Sequence, residues 1–276
     1  AEDEMTLCKS VKLNGGLHYT LFGISGTKYH SIEPRAAINF RLCDKASLKV
    51  SYTEMSQFMH QLSATYLNLP TDYWVPSTTR ITPMKARQYA VGVYTQLPYN
   101  IRWSVEGFYK TMDNLIEYDG NSGMLNPMAD RWEEEVRTGK GKAYGMETDL
   151  RYSNGKTSVD ASYTLSWSKR FFPDFHSSWY PDKFDNRHRF SVNISHKFNE
   201  RIDVYASWNY HSGNRITIPT QQVDAPVIPG VEKANEGMMI YEMPNNVSLP
   251  VYHRLDLGIN FRKTTKRGFE RIWNIS

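Results

Sequence analysis

Hydrophobic and polar residues alternate with a period of two along much of the chain, and this pattern predicts β-strands. Between positions 159 and 167 the odd residues are Val, Ala, Tyr, Leu and Trp, and the even residues are Asp, Ser, Thr and Ser. Similar alternation recurs at 189–198, 202–211 and 251–261. The pattern predicts about eleven strands, near residues 11–25, 33–42, 47–59, 85–97, 100–112, 141–153, 157–170, 187–198, 201–212, 250–263 and 269–276.

The predicted strands are long. Most contain about ten residues or more, whereas strands of globular proteins usually contain about 5–6 residues. A tilted strand needs about 9–11 residues to cross a bilayer. The lengths therefore favour strands that cross a membrane over strands of a small water-soluble domain.

The predicted connections alternate between short turns and long loops. Short turns are expected at 43–45, 98–100, 153–156, 199–201 and 264–268. Long loops are expected at 60–84, 113–140, 171–186 and 213–249, and the link at 26–32 is brief. Outer-membrane barrels have short periplasmic turns and long extracellular loops. We therefore predict an all-β fold, an antiparallel transmembrane β-barrel with this arrangement of loops.

The two faces of the predicted strands differ in chemistry. One face carries Val, Leu, Ile, Tyr and Trp, and the other carries Ser, Thr, Asn, Asp, Arg and Lys, which is typical of a hydrated lumen. Aromatic residues near strand ends suit the interfacial girdles of a barrel, namely Tyr152, Trp167, Phe198, Tyr210 and Phe261. A β-sandwich with its apolar faces turned inward remains open as an alternative.

Composition and the absence of known motifs exclude several classes of function. No run of 18 apolar residues occurs among the 276 positions, so no transmembrane helix is predicted. The 33 basic and 29 acidic residues leave a net charge of only +4, so we expect no nucleic-acid partner. GxSxG, HExxH, Walker and GxGxxG motifs are absent from the sequence. We therefore expect a protein that is not an enzyme, without a metal site or a cofactor.

Ordered short motifs carry a resemblance to a known family. The segment 52–94 is similar to the barrel of TonB-dependent receptors of Bacteroidetes type, at Tyr52, Met55, Gln57, His60, Leu69–Asp72, Trp74, Pro76, Ser77, Pro83, Gln88, Tyr89 and Gly92. Further elements resemble the family in the same order, at Ser31–Arg35, Phe108–Tyr118, Gly139–Asp149, Tyr180–Phe190 and Leu249–Leu257. The resemblance covers the chain from about residue 11 to residue 276.

The resemblance implies a transport function. Receptors of this family are barrels of about 22 strands with an N-terminal plug, and they take up scarce solutes with energy delivered by TonB. We therefore expect residues 1–276 to be the C-terminal portion, roughly half, of such a barrel in the bacterial outer membrane. The plug and the N-terminal strands are expected to lie outside this chain, which alone is not expected to transport.

The resemblance also implies partners and leaves the solute open. Expected partners are outer-membrane lipid or lipopolysaccharide, TonB through the N-terminal region, and a surface lipoprotein. A siderophore, haem, a vitamin, a peptide or a glycan could be the solute. Two other functions remain as alternatives: a secreted β-sandwich that binds carbohydrate, and a structural or adhesive outer-membrane barrel.

Aromatic residues in the predicted extracellular loops are the candidate solute-facing groups. They are Tyr73, Trp74, His176, Trp179 and Tyr180. Flat ring faces there could stack on a sugar, a porphyrin or a siderophore. The alternative is that the rings pack the loops together or contact lipopolysaccharide.

Charged residues on the strands allow two interpretations. They are Asp185, Arg187, Arg189, Arg254 and Asp256. They could form a polar wall that guides a solute, or they could pair with one another across neighbouring strands and hold the lumen wall in shape. We expect the ion pairs.

The two cysteines allow a prediction about geometry. If strands 11–25 and 33–42 form a hairpin, Cys8 and Cys43 lie at the same periplasmic edge, in nearly opposed positions. The periplasm is oxidising and permits disulfides. We therefore expect Cys8 and Cys43 to be close enough for a disulfide.

Overall fold

The structure is a computed structural model, and it describes residues 1–24, 26–62, 73–118, 132–223, 238–265 and 268–276. Within these residues the chain contains nineteen strands and one 3-10 helix, Trp132–Glu134. The strands are β1 (Glu2–Cys8), β2 (Val11–Ile24), β3 (Thr27–Cys43), β4 (Ala46–Gln57), β5 (Met59–Leu62), β6 (Tyr73–Pro76), β7 (Met84–Leu97), β8 (Ile101–Tyr118), β9 (Val136–Ser153), β10 (Thr157–Phe171), β11 (Tyr180–Pro181), β12 (His188–Lys197), β13 (Ile202–His211), β14 (Arg215–Ile216), β15 (Gln221–Val223), β16 (Met238–Ile240), β17 (Val247–Ser248), β18 (Tyr252–Thr264) and β19 (Glu270–Ile275). Among the described residues, no helix is long and apolar enough to cross a membrane.

Twelve of the described strands form one antiparallel sheet in the order β1-β2-β3-β4-β7-β8-β9-β10-β12-β13-β18-β19. Each long strand therefore pairs with the long strands before and after it in the chain. The short strand β11 pairs with β10, and three two-stranded sheets, β5-β6, β14-β17 and β15-β16, lie in the connections at one end. In the described part of the chain β1 and β19 each have one neighbour, so they are the two edges.

The predicted all-β antiparallel fold is confirmed, and each of the eleven predicted strands has a counterpart in the sheet. The strand β1 was not predicted, because the acidic start of the chain, Glu2–Glu4, hides the alternation. The link at 26–32 is a tight turn, because Gly26 adopts a φ of 80° and β3 begins at Thr27. The strands β8 and β9 reach Tyr118 and Val136, so part of the loop predicted at 113–140 is strand. The 3-10 helix Trp132–Glu134 lies just before β9, and residues 119–131 lie outside the described residues.

The pairing register gives the sheet two chemically distinct faces, because directly opposed residues share a face. We call one the apolar face, where Val50, Val91, Gly107, Met146 and Leu165 are opposed in turn. Its large side chains remain exposed to a degree that a buried core would not show; Val91 is 49% exposed. We call the other the polar face. It carries a matching line of polar side chains: Ser47, Tyr94, Ser104, Asp149, Ser162 and Ser191.

Five aromatic residues form a row across the apolar face on five neighbouring strands. We call this set the aromatic row, and its members are Tyr52, Tyr89, Tyr109, Tyr144 and Trp167. Ring centroids are 4.9 Å apart for Tyr52 and Tyr89, 6.3 Å for Tyr109 and Tyr144, and 5.4 Å for Tyr144 and Trp167. Such a row is typical of the interfacial girdle of a membrane barrel.

A small apolar core lies at the loop end, not within the sheet. The buried side chains of Leu62, Ile81, Ile116 and Val136 form it, with Val75, Tyr118 and Trp132 packed around them. The β5-β6 hairpin thereby packs against the ends of β8 and β9. Part of the loop predicted at 60–84 is therefore ordered by hydrophobic contact.

Steric contact explains why position 145, within the motif at 139–149, is glycine. A Cβ atom on Gly145 would lie 2.3 Å from the carbonyl oxygen of Leu165 and 2.8 Å from the Cα of Ser166. Both contacts are with backbone of the neighbouring strand, which cannot move without changing the pairing of β9 and β10. The close approach of these two strands therefore requires glycine at this position.

The expected disulfide between Cys8 and Cys43 is not formed, and both cysteines are free and exposed. The prediction placed Cys8 on a continuation of β2, opposite Cys43. The chain instead turns at Lys9 and Ser10, and Cys8 pairs with Val11 in the additional strand β1. Since β2 lies between β1 and β3, the cysteines are at least two strand spacings apart, about 9.6 Å. A disulfide allows a Cα separation of about 7 Å at most.

Candidate functional site

A buried group of charged and polar side chains joins the ends of β8 and β10 to the segment that follows β10. The Arg170 guanidinium donates to Asp182 Oδ2 at 2.6 Å and to Glu117 Oε2 at 3.4 Å. The Tyr180 hydroxyl donates to the same Glu117 oxygen at 3.4 Å. Burial, and then the neighbouring Glu117 carboxylate, raise the pKa of the Tyr180 hydroxyl, so it stays protonated and can donate. This group fixes the β10-β12 connection against β8.

A second ion-pair group is centred on Asp185, whose side chain is only 2% exposed. Its Oδ1 accepts from the backbone N–H of Ser168 at 2.9 Å. Its Oδ2 accepts from Arg187 at 3.1 Å and from Arg215 at 3.2 Å. Asp185 and Arg187 do form an ion pair, but they are two residues apart in the segment before β12, so the pair does not join neighbouring strands as predicted. Arg215, on β14, is a partner that the sequence did not reveal.

The other predicted pair also forms, but within one strand. Arg254 Nη2 lies 2.8 Å from Asp256 Oδ1, and both residues are on β18. Residues two apart on a strand share a face, so this pair spans no neighbouring strand. It shapes the local surface of the polar face and does not tie strands together.

All five candidate loop aromatics lie at the loop end, two on β6 and three in the connection between β10 and β12. Tyr73 and Trp74 are on β6, and the Trp74 ring is 58% exposed. His176 is held in a tight turn, where its Nδ1 lies 3.1 Å from Ser178 Oγ. The Trp74 ring therefore offers a larger exposed surface than the His176 ring does.

The structure separates the remaining two candidates, Trp179 and Tyr180. Tyr180 is fully buried, so its ring packs the loop and has no free face for a solute. Trp179 lies on the side of the apolar face, with its ring 5.6 Å from that of Phe171 and 4.1 Å from Lys142 Nζ. Trp179 therefore lies on the side of the sheet that faces away from the polar face. The sequence of a single loop segment could not reveal this placement.

The polar face forms a recess of about 710 Å³ near the short turn between β3 and β4. Basic side chains from four strands line it, at Lys12, Arg41, Arg102 and Arg151, together with Asp149. The pairing register places each of these side chains on the polar face. The recess is apparent only from the strand order and register, which place β2, β3, β4, β7, β8 and β9 in succession along the polar face.

Metal-binding groups are not assembled in the described parts of the chain. No cluster of three or more His, Cys, Asp or Glu residues there is arranged to hold a metal ion. The polar side chains of this site form ion pairs and a basic recess, an arrangement suited to contact with a solute or another protein segment.

These features together define the wall of an outer-membrane β-barrel. The strands are long and antiparallel, one face is apolar and exposed and carries the aromatic row, the other face is polar, and ordered loops lie at one end. Residues 1–273 match the family described as TonB dependent receptor-like, beta-barrel. The chain belongs to this family, as its ordered motifs predicted, and its place is therefore the bacterial outer membrane.

Solved structures show the same fold. The ferric-catecholate import receptor Fiu from E. coli K12 is 14% identical with a TM-score of 0.60, over 95% of this chain and 37% of that chain. The ferripyoverdine receptor of the outer membrane of Pseudomonas aeruginosa is 15% identical with a TM-score of 0.60, over 94% and 31%. The ferric yersiniabactin uptake receptor FyuA from Yersinia pestis is 12% identical with a TM-score of 0.62, over 94% and 37%.

Each match covers only part of the solved receptor. The chain spans 31% to 37% of the length of these three solved receptors. Identities of this size establish the shared fold of the wall and nothing about the solute. No curated protein sequence matches the chain.

Proposed function

We propose that the chain forms part of the barrel wall of an outer-membrane transporter that takes up a scarce solute with energy delivered by TonB. One observation carries the proposal: a continuous antiparallel sheet of long strands exposes the large apolar side chains of one face. Leu257 is 59% exposed and Ile194 is 41% exposed. In a β-sandwich such side chains would be buried between two sheets.

The proposed role is transport and not catalysis. The wall would hold the solute path and support the loops, while TonB would act through the N-terminal region of the complete protein. Outer-membrane lipid is the proposed surrounding of the apolar face, and a surface lipoprotein is a further proposed partner at the loop end.

Iron chelates are the first solute class to test. The three structurally similar receptors carry names that refer to ferric catecholates, ferripyoverdine and ferric yersiniabactin. The exposed ring of Trp74 is the proposed stacking surface for such a solute, and Tyr73 and His176 are proposed to lie beside its path. Haem, a vitamin, a peptide or a glycan are the other classes to assay.

The orientation of the wall is tested by labelling two adjacent residues of β12. Asn193→Cys lies on the polar face and Ile194→Cys on the apolar face, each in a background where both natural cysteines are Ser. A charged maleimide is expected to label the first position, and a lipid-soluble reagent the second. Equal labelling of both positions by the charged reagent would contradict a membrane-spanning wall.

The transport role is tested with the complete protein that carries this chain. Trp74→Ala is expected to weaken solute binding about 5-fold, because an aromatic stacking contact is lost. Trp179→Ala is the matched control, since its ring lies on the apolar face beside Phe171 and Lys142, and it is expected to leave solute binding unchanged. Uptake that persists without TonB would favour a structural or adhesive barrel.

A further inference from the structure

Three lysines lie on the apolar face just beyond the aromatic row, on the loop side. Lys142 is two residues from Tyr144 on β9, and Lys169 is two residues from Trp167 on β10. Side chains two apart on a strand point the same way, so both lysines share the face of the aromatic row. Lys140 is two residues further along β9. We call these three residues the lysine cluster.

Two members of the lysine cluster face each other directly. Lys142 and Lys169 are paired residues of β9 and β10. Side chains in that position have Cβ atoms about 4.5–5.5 Å apart, and like charges there destabilise the sheet. The arrangement therefore costs stability unless an anion lies between the two ammonium groups.

The protein does not supply that anion within the residues the structure describes. On the neighbouring strands at the same height, Arg87 is 3.6 Å from Glu54 and 3.9 Å from Asp113. By contrast, no carboxylate of a described residue forms an ion pair with a member of the lysine cluster. Within the described residues, carboxylates therefore balance the positive charge of Arg87 but not that of the lysine cluster.

An exposed tryptophan marks the height of the lysine cluster. The Trp179 ring lies 4.1 Å from Lys142 Nζ and 5.6 Å from the Phe171 ring, and it is 38% exposed. Tryptophan at the surface of a membrane protein prefers the headgroup level, because its ring is apolar and its N–H is polar. The cluster therefore lies where headgroups of the outer leaflet meet the barrel wall.

We infer that the lysine cluster binds the phosphate groups of lipopolysaccharide in the outer leaflet. Ammonium groups form short, charge-assisted hydrogen bonds with phosphate oxygens. A phosphate between Lys142 and Lys169 removes their mutual repulsion, and Lys140 reaches the same group or its neighbour. This inference rests on the proposed membrane wall, and it adds the chemistry and the place of the lipid contact.

The test compares two triple variants of the complete protein that carries this chain. The first is Lys140→Gln, Lys142→Gln and Lys169→Gln. The matched control is Lys45→Gln, Lys156→Gln and Lys263→Gln, three exposed lysines near the short turns. Binding of delipidated, detergent-purified protein is measured with intact lipopolysaccharide, with enzymatically dephosphorylated lipopolysaccharide, and with inorganic phosphate alone.

Intact lipopolysaccharide is expected to bind the first triple variant about 10-fold or more weakly than the natural protein and the control, because headgroup attraction is lost at each lysine. Dephosphorylated lipopolysaccharide is expected to bind all three proteins equally and weakly. The inference is overturned if the first variant binds intact lipopolysaccharide as well as the control does. It is also overturned if inorganic phosphate alone binds as tightly as the lipid.

A separate readout distinguishes this inference from the proposed function. Heat-modifiable migration of the unboiled protein in detergent gels reports a folded barrel, and solute uptake reports transport. If the variants fold and transport but bind lipopolysaccharide equally, only the lysine inference fails. If the natural protein forms no heat-modifiable barrel, the proposed function itself fails.

Discussion

Asp185 shows how one carboxylate can order a long connection. It satisfies a backbone N–H of β10 and two guanidinium groups from separate segments, one before β12 and one at β14. Buried charges are tolerated only when such partners are present, because desolvation otherwise costs several kcal/mol. The segment between β10 and β12 therefore depends on this residue for its shape.

Replacing this carboxylate by an amide tests its role. Asp185→Asn is expected to lower the free energy of unfolding by about 2–3 kcal/mol, because Arg187 and Arg215 lose their shared anion while partly buried. Asp174→Asn, at an exposed position of the same connection, is the control and is expected to have little effect. Urea unfolding in lipid vesicles measures both. An equal loss in the two variants would contradict the assigned role.

His60 couples the loop end to pH. Its ring is fully buried, with Nε2 2.9 Å from Ser77 Oγ, and burial lowers the pKa of His60 below its ordinary value of 6.5. A histidine with a lowered pKa in the folded state stabilises the fold above its unfolded pKa. That contribution is lost as the pH falls, because a buried neutral ring must take up a proton.

Acidification is therefore expected to loosen the β5-β6 hairpin. Hydrogen exchange at Met59–Leu62 should quicken, relative to the intrinsic rate, as the pH falls from about 7.5 to about 5.5. His60→Gln should remove this extra pH dependence, since glutamine does not titrate. The exposed His253 provides the control variant His253→Gln, which should behave like the natural protein. A His60→Gln protein with unchanged pH dependence would contradict the prediction.

At the scale of the elements, the alternation of each strand sets which side chains face which way, and the pairing register then aligns them across strands. Tyr144 is the fourth of the five rings in the aromatic row, and its ring stacks on Tyr109 on one side and on Trp167 on the other. Cross-strand aromatic pairs stabilise a sheet beyond the area that they bury. The aromatic row therefore strengthens the sheet at the membrane interface that it marks.

Truncation of the Tyr144 ring tests this contribution. Tyr144→Ala is expected to lower the free energy of unfolding from lipid vesicles by about 1–2 kcal/mol, because two ring contacts are lost. Tyr144→Phe keeps both contacts and is expected to change it by less than about 0.5 kcal/mol. If both variants are equally destabilised, the hydroxyl and not the row would carry the effect.

At the scale of the whole molecule, the sheet has two unpaired edges in the described residues, β1 and β19. Edge strands offer free N–H and C=O groups to other chains, which makes them sites of association. On β19 the apolar side chains of Trp273 and Ile275 are 70% and 64% exposed. Isolated polypeptide with this sequence is therefore expected to associate through its edges.

Light scattering with size exclusion in detergent checks that expectation. The isolated 276-residue polypeptide should elute as oligomers. Charges on an edge oppose pairing, so Trp273→Lys with Ile275→Lys should increase the monomer fraction. Trp103→Lys, on the same face of the interior strand β8, is the control and should not. A monomeric natural sequence would show that its edges are protected.

The sequence by itself determined the local features. A period of two is a property of neighbouring residues, so it revealed the strands, their two faces and the short turns. The ordered motifs from Ser31–Arg35 to Leu249–Leu257 were enough to indicate the family. The acidic start of β1 lacks the alternation, and this strand was therefore missed.

Only the tertiary structure decided what lies next to what. Register across strands opposes Lys142 to Lys169, and it separates Cys8 from Cys43 by a whole strand. Loop segments return to the sheet through long-range contacts, which place Trp179 on the apolar face and bury Tyr180. These contacts join residues far apart in the chain, so no local pattern of hydrophobic and polar positions encodes them.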